Sequence, residues 1–301
     1  MGKVIILGAK GRFGRAASTA FQAEGWDVVD YARNWQDAGA GKAARITGDV
    51  MDSKALGAAC RGCDVIVNAI NAPYQDWKAR LPGITASVID AARTSGATVM
   101  IPGNVYNYGA DMPAVLTEKT PWRATTRKGK LRIEMEQSCR DAGVPTIVIR
   151  GGDFIERKKS GNWFDSQIAK KAHEGKTIYP GPRDVLHAWA YLPDMARVTA
   201  LVAGQRDSFD PFEEFGFSGF GITGDALVAA IGRAVGQKQK VSGLPWPIIW
   251  MMGLYSAPMR EIHEMAYLWR APHVIDDSKL MQLLPDFTPT SLEEAMATVL
   301  G

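Results

Sequence analysis

Residues 4–14 leave this chain few folds to choose from. Val4-Ile-Ile-Leu7 runs straight into Gly8-Ala-Lys-Gly11-Arg-Phe-Gly14, and an Ala-rich stretch with helical spacing follows at once. A short β-branched run, a turn carrying three glycines and a helix in immediate succession make a phosphate-binding turn. Gly8 lets the chain turn tightly, Gly11 lets the backbone approach a pyrophosphate, and Gly14 lets the helix pack close to the strand. The new helix offers its unpaired N–H groups and the positive end of its dipole to the phosphates, with Lys10, Arg12 and Phe13 filling the rest of the turn.

The same alternation continues. Val28 to Val29, Asp64 to Ala69, Thr98 to Ile101 and Pro145 to Ile149 are short apolar runs separated by amphipathic, Ala-rich segments, which implies a parallel sheet covered on both faces. A helix from about Trp122 to Ala142, ended by Gly143 and Pro145, reads as the longest crossover. The expected fold class is α/β, a Rossmann-type doubly wound parallel sheet with a smaller, mostly helical C-terminal lobe. Residues 1–150 would form the dinucleotide-binding domain, completed by about 185–220, and residues 151–184 and 221–301 the substrate-binding lobe. Beyond Arg150 the pattern loosens into Gly151-Gly152, a basic stretch Arg157-Lys-Lys159 and strand-like pieces at Thr177 to Tyr179 and His187 to Ala190. A helix from Pro193-Asp194 and a strand near Phe215 to Phe220 return to the sheet scheme. The Trp- and Met-rich remainder reads as helical, and Thr290-Ser-Leu-Glu293 has the spacing of a capping box.

The glycine spacing is G-x-x-G-x-x-G. Further pieces fall in a fixed order: Gly48-Asp49-Val50, Val67-Asn-Ala-Ile-Asn71, Asn104-Val-Tyr-Asn-Tyr-Gly109 and Arg150-Gly-Gly-Asp-Phe154. In these the chain resembles an extended or atypical short-chain dehydrogenase/reductase, the group containing the NAD-dependent epimerase/dehydratases. The resemblance covers the first two-thirds; beyond about residue 220 it rests on order and length. It implies that Asp49 and Val50 flank an adenine, that Asn68, Ala69, Ile70 and Asn71 line the path toward a nicotinamide, and that Lys130 contacts the nicotinamide ribose.

An NAD enzyme of this kind ends its second strand on an acidic residue that holds the ribose hydroxyls, whereas a 2′-phosphate calls for Arg or Lys. In Val28-Val-Asp-Tyr-Ala-Arg33 the position aligned with the acid is Ala32, followed by Arg33. With Lys10 and Arg12 in the glycine turn, the charges favour NADP. NAD stays open through Asp30, should the strand end early.

Family members carry Y-x-x-x-K, in which a lysine and the oxidised nicotinamide depress the tyrosine's pKa until it exchanges a proton with substrate. Lys130 and Glu134 match that motif, but the tyrosine position is Thr126, and an aliphatic hydroxyl is a far poorer acid. Asn104 stands where the family has a serine or threonine. Two repairs follow: Tyr106 or Tyr108 supplies the proton while Asn104 donates a hydrogen bond, or Lys130 itself is the acid–base group, as in isoflavone-reductase-like relatives. Packing of the loop by both tyrosines is the plain structural alternative. Tyr74, Tyr191 and His187 are weaker substrate-side candidates.

Other chemistries find little support. The chain has 301 residues, 46% hydrophobic and 22% charged, with a formal net charge of +3 and scattered cations, so nucleic acid is not expected as a partner. The three cysteines, Cys60, Cys63 and Cys139, make one C-x-x-C without a second pair and read as reduced thiols. The four histidines, His173, His187, His263 and His273, have no metal-ligand spacing, and there is no G-x-S-x-G elbow. The apolar stretch Leu244 to Tyr255 falls short of a membrane span, and the reading is a buried or interface helix, no membrane partner and a cytoplasmic protein. A homodimer stays open. The leading expectation is an NADPH-dependent reductase of a small carbonyl compound. Its alternatives are an epimerase or dehydratase that holds its cofactor tightly and a non-catalytic cofactor sensor of the NmrA-like kind.

Overall fold

In the computed structural model, residues 2–35, 43–157 and 160–301 are described. Lys158 and Lys159 of the basic stretch lie outside them. The chain runs through β1 (Lys3–Leu7), α1 (Arg12–Ala23), β2 (Asp27–Ala32), β3 (Ala44–Thr47), α2 (Ser53–Ala59), β4 (Val65–Asn68), α3 (Trp77–Ser95) and β5 (Thr98–Gly103). It continues through β6 (Val115–Leu116), α4 (Arg127–Asp141), β7 (Thr146–Arg150), β8 (Asp153–Ile155), β9 (Lys176–Tyr179), β10 (Leu186–Tyr191), α5 (Leu192–Ala203) and β11 (Phe212–Gly216). The last stretch holds β12 (Phe220–Thr223), α6 (Gly224–Ala234), β13 (Lys240–Gly243), α7 (Trp246–Gly253), α8 (Ala257–Glu264), β14 (Val274–Ile275), α9 (Ser278–Leu283) and α10 (Leu292–Leu300).

These elements form two compact units. The first comprises Met1–Gly103, Leu131–Arg150 and Met195–Phe215, the second Asn104–Lys130, Gly151–Asp194 and Gly216–Gly301. The first is a Rossmann-type α/β unit built on a seven-stranded sheet of order β11-β7-β5-β4-β1-β2-β3. The pairs from β3 to β7 are parallel. Val4 to Leu7 are 0% exposed, and β4 and β7 are buried along their whole length. Such continuous burial is what a parallel strand with helices on both faces requires. The strand order reverses between β1 and β4, so the carboxyl ends of these two strands flank the crevice where open α/β sheets bind ligands.

Within this unit Arg150, 1% exposed, is clasped by two carboxylates. Its Nε lies 2.5 Å from Glu214 Oε1 and its Nη2 2.8 Å from Glu136 Oε2, which ties β7 to β11 and α4. The second unit combines its helices with three small sheets, β12-β10-β8, β13-β9 and β14-β6. Its core gathers Phe164, Tyr179, Trp189, Leu227, Ile231 and Trp269.

Three sequence expectations shift. The longest helix is α3, 19 residues with Pro82 inside it, and not α4, which starts at Arg127 rather than near Trp122. Thr126 is the residue that caps the helix, its Oγ1 accepting from Gly129 N at 3.1 Å. The final capping box uses Ser291 and Glu294, one residue later than Thr290 and Glu293, because Thr290 is engaged by Asp194 at 2.6 and 3.0 Å.

Candidate cofactor and catalytic sites

The glycine turn does what its spacing requires. Gly8 has φ +75°, and its N–H and that of Ala9 donate to Tyr31 O at 3.1 and 3.3 Å, which fixes the turn to β2. A Cβ on Gly8 would come within 3.0 Å of Ala69 O, just beyond β4. Gly11 N closes the turn on Gly8 O at 2.7 Å, and Gly11 is the N-cap of α1 with no side-chain cap bond. At Gly14 a Cβ would stand 2.2 Å from Gly8 O, so the helix is seated against the turn as closely as glycine allows. The first turn of α1 has no acidic residue. Phe13 is buried and Arg12 half-buried beside it.

At the end of β2, Ala32 is buried and Arg33 exposed, and Lys10 Nζ donates to Asn34 Oδ1 at 2.7 Å. Two cations therefore stand by the loop after β2. Asp30 is not among these residues: β2 runs on to Ala32, and the Asp30 carboxyl lies inside the sheet between Ser18 and Arg45. Burial pushes it above the usual carboxylate range, while Ser18 and Arg45 pull the other way. Asp49 is exposed and turns back on its own loop, its Oδ1 accepting from Met51 N at 3.0 Å. Val50 is buried. Tyr31, which the sequence reading passed over, holds this loop in place by donating from its hydroxyl to Asp49 O at 3.2 Å.

Beyond β4, Ala69 N reaches Leu7 O at 3.1 Å, which brings the ends of β4 and β1 together. Asn68 is 8% exposed and its Oδ1 has no hydrogen-bond partner among the described residues. Ile70 is half-buried and Asn71 exposed, while Tyr74 packs edge-on against Trp77 at 5.1 Å. A dinucleotide fits these residues on three counts: a turn folded so closely that a Cβ at Gly8, Gly11 or Gly14 would press on its backbone, an uncapped helix start without an acid, and an orphaned acceptor at Asn68.

The second unit carries the residues considered for proton transfer. Asn104 caps a 3-10 turn, Val105–Tyr108, its Oδ1 accepting from Tyr106 N at 3.0 Å. Tyr106 and Tyr108 are 7% and 2% exposed. The start of α4 lies on this turn, where a Cβ at Gly129 would come 2.4 Å from Tyr106 O. Lys130 is exposed one turn after Thr126, whereas Lys128 is fully buried. Lys128 Nζ donates to Glu264 Oε2 at 2.5 Å and Glu261 O at 3.1 Å and pairs with the Glu261 carboxylate, which Arg127 also contacts. Burial works against ionisation of Glu261, but the bonds from Lys128 and Arg127 outweigh it and hold that carboxyl below its usual value.

A third phenol of this unit, that of Tyr267, stands beside Thr126. Tyr267 follows α8, 141 positions away in sequence, and burial pushes its hydroxyl well above the usual tyrosine range, with Thr126 opposing and the Glu264 and Asp153 charges adding. No local motif signals it. His187 Nε2 lies 2.9 Å from Asp153 Oδ2, and its ring stacks on Trp269 at 4.5 Å. His273, edge-on to His187 at 4.7 Å, is lowered to about 4 by burial and by His187. Tyr191 is buried in β10, which raises its phenol. The cysteines are all buried and unpaired by disulfides, with Cys60 pushed up to about 12 by burial, which suits structural thiols.

A sequence model described as NAD(P)H-binding matches residues 8–177. The chain belongs to the NAD(P)H-binding family. No curated protein matches it by sequence. Solved structures with the same fold include UDP-N-acetylglucosamine 4-epimerase from Bacillus cereus, at TM-score 0.76 and 15% identity over 99% of this chain and 95% of that one. WbmH from Bordetella bronchiseptica in complex with NAD+ gives 0.75 and 16% over 100% and 97%. UDP-glucose 4-epimerase from Bifidobacterium longum in complex with NAD+ and UDP gives 0.74 and 16% over 99% and 97%. The NAD(P)H-binding reading thus holds for the family, and the likeness to the epimerases holds for the fold. No helix among the described residues is long and apolar enough to cross a membrane.

Proposed function

We propose that this NAD(P)H-binding protein is an NADPH-dependent oxidoreductase that reduces a small carbonyl compound. The observation that carries the choice of cofactor is the end of β2: the chain leaves the strand on Ala32 and Arg33, Lys10 is tied to the next residue, and the half-buried Asp30 carboxyl is engaged by Ser18 and Arg45. An adenosine 2′-phosphate would be met by Arg33 and Lys10, the pyrophosphate by the N-terminus of α1 at Gly11, Arg12 and Phe13, and the remaining ribose and amide groups by Asp49, Val50 and Asn68 to Asn71.

A reduced nicotinamide, when bound, supplies a hydride. The chain's own part is to give a proton to the substrate oxygen. With Thr126 used as a helix cap and Tyr106 and Tyr108 buried, Lys130 is the group we assign to that step, its ammonium delivering the proton and returning to charge from solvent. Asn104 would help orient the oxygen. The test is NADPH consumption across a panel of aldehydes and ketones with the wild-type chain and Lys130→Met. Turnover lost in the variant supports the assignment; unchanged turnover removes Lys130 from it.

A second reading, an epimerase or dehydratase acting on a sugar nucleotide, is favoured by the fold neighbours, several of which are sugar-nucleotide 4-epimerases. It expects a cofactor that co-purifies and survives dialysis. Absence of turnover on every substrate, with cofactor bound reversibly, would instead leave a sensor.

A further inference from the structure

Helix α7 has the composition of a core helix and the exposure of a surface one. Ile248, Trp250, Met251, Met252, Leu254 and Tyr255 are between 47% and 93% exposed. Ile248, Met251, Met252 and Tyr255 recur at spacings of three and four and so share one face, which Leu254 and then the exposed Trp250 extend round toward the side of Trp246. The opposite side is anchored: Trp246 Nε1 donates to Pro180 O at 2.6 Å and its ring packs near Trp163. Gly253 is buried where α8 approaches, so that a Cβ there would lie 3.2 Å from Arg260 Cα. An apolar face of this size on a well-seated helix hairpin marks a docking surface.

The charge of the segment that carries it narrows the occupant. Between Asp225 and Glu261 the sequence has no acidic residue and four basic ones, Arg233, Lys238, Lys240 and Arg260. Arg233 is paired with Glu293 at 2.9 Å, while Lys238, Lys240 and Arg260 are exposed, and Arg260 Nη1 reaches Gly253 O at the end of α7. Nothing charged lies from Val241 to Met259. We propose that this face binds the surface of an anionic phospholipid bilayer, α7 lying in the interface with Trp250 and Tyr255 at headgroup level and the cations answering the lipid phosphates. A helix of eight residues is about 12 Å long and rests on the bilayer without crossing it. A second copy is a poorer occupant: a two-fold contact is self-complementary and would bring the same cations of both chains to one rim with no carboxylate of the segment to meet them. The proposal departs from the sequence expectation of no membrane partner.

The experiment is flotation of the full chain with phosphatidylcholine vesicles and with vesicles in which about one-third of the lipid is phosphatidylglycerol. The expected result is co-flotation with the anionic vesicles, weakened by salt. It should fall about tenfold or more in Trp250→Ser/Tyr255→Ser, and about fivefold for each of Lys238→Gln and Lys240→Gln. Circular dichroism should be unchanged in every variant. A chain that stays soluble with both vesicle types overturns the proposal, whether it is a monomer or a dimer that the Trp250/Tyr255 variant dissociates. Equal, salt-insensitive binding to both vesicle types overturns the role of the cations.

Discussion

Replacing Gly14 by alanine isolates the close seating of α1 on the glycine turn. A Cβ at that position falls 2.2 Å from Gly8 O and 2.8 Å from Ala9 Cα, both backbone, so no side chain can swing aside. An ordinary carbon–oxygen contact is near 3.3 Å, and α1 would have to retreat by about 1 Å. Overpacking of this kind costs about 1–3 kcal/mol, and an obstruction made of backbone belongs at the upper end. Alanine otherwise gains about 1 kcal/mol over glycine within a helix, leaving a net loss of about 2 kcal/mol. Gly57 in α2 is the matched control, because a Cβ there meets nothing within 4 Å. Gly57→Ala should stabilise by about 0.5–1 kcal/mol. Urea unfolding followed by circular dichroism measures both, and fluorescence titration should show NADPH binding weakened about tenfold or more only in Gly14→Ala, as the helix start moves off its position. If both substitutions stabilise the chain alike, the close seating of Gly14 is wrong.

Arg33→Ala should weaken NADPH by about 1.5–3 kcal/mol, the loss of a charge-assisted contact, and leave NADH unchanged in calorimetry. Under the proposed chemistry Lys130→Met should lower kcat about 10²–10⁴-fold, whereas Tyr106→Phe and Tyr108→Phe should have little effect; a large loss in either phenylalanine variant would transfer the proton step to that phenol. Lys128→Met removes the buried partner of Glu261 and Glu264 and leaves them to Arg127 alone, so it should destabilise by about 3 kcal/mol in chemical unfolding, the lower end for a broken buried pair. The Glu261 carboxyl is held below its ordinary value, so its contribution is present above that ordinary value and is lost as pH falls through the lowered one. Stability should therefore drop below about pH 4, and drop less in the Lys128 variant.

The turn at residues 4–14 was legible because each glycine answers a local geometric demand, and the strands were legible because both faces of a parallel sheet are apolar. What failed were features set by distant partners. The cap that Thr126 makes with Gly129 N is local, but Tyr267 reaches that spot from another part of the chain. Arg150 is part of a family-like segment, yet its guanidinium belongs to a buried clasp with Glu136 and Glu214 that no spacing reveals. That β2 runs past Asp30 to Ala32 is likewise set by its pairing with β3, where Ala32 stands opposite Thr47. Helix α7 shows the limit of composition: Trp, Met and Ile imply burial by something, and the sequence does not say that this something lies outside the chain.

Calorimetric titration of the wild-type chain and of Gly11→Val with NADPH and with NADH decides whether the glycine turn holds a dinucleotide. The wild type should bind NADPH more tightly than NADH, and the valine variant should keep its circular dichroism spectrum but bind neither, because a branched side chain takes the space of the pyrophosphate. Normal binding in a folded Gly11→Val, or no binding of either dinucleotide to the wild type, would contradict it.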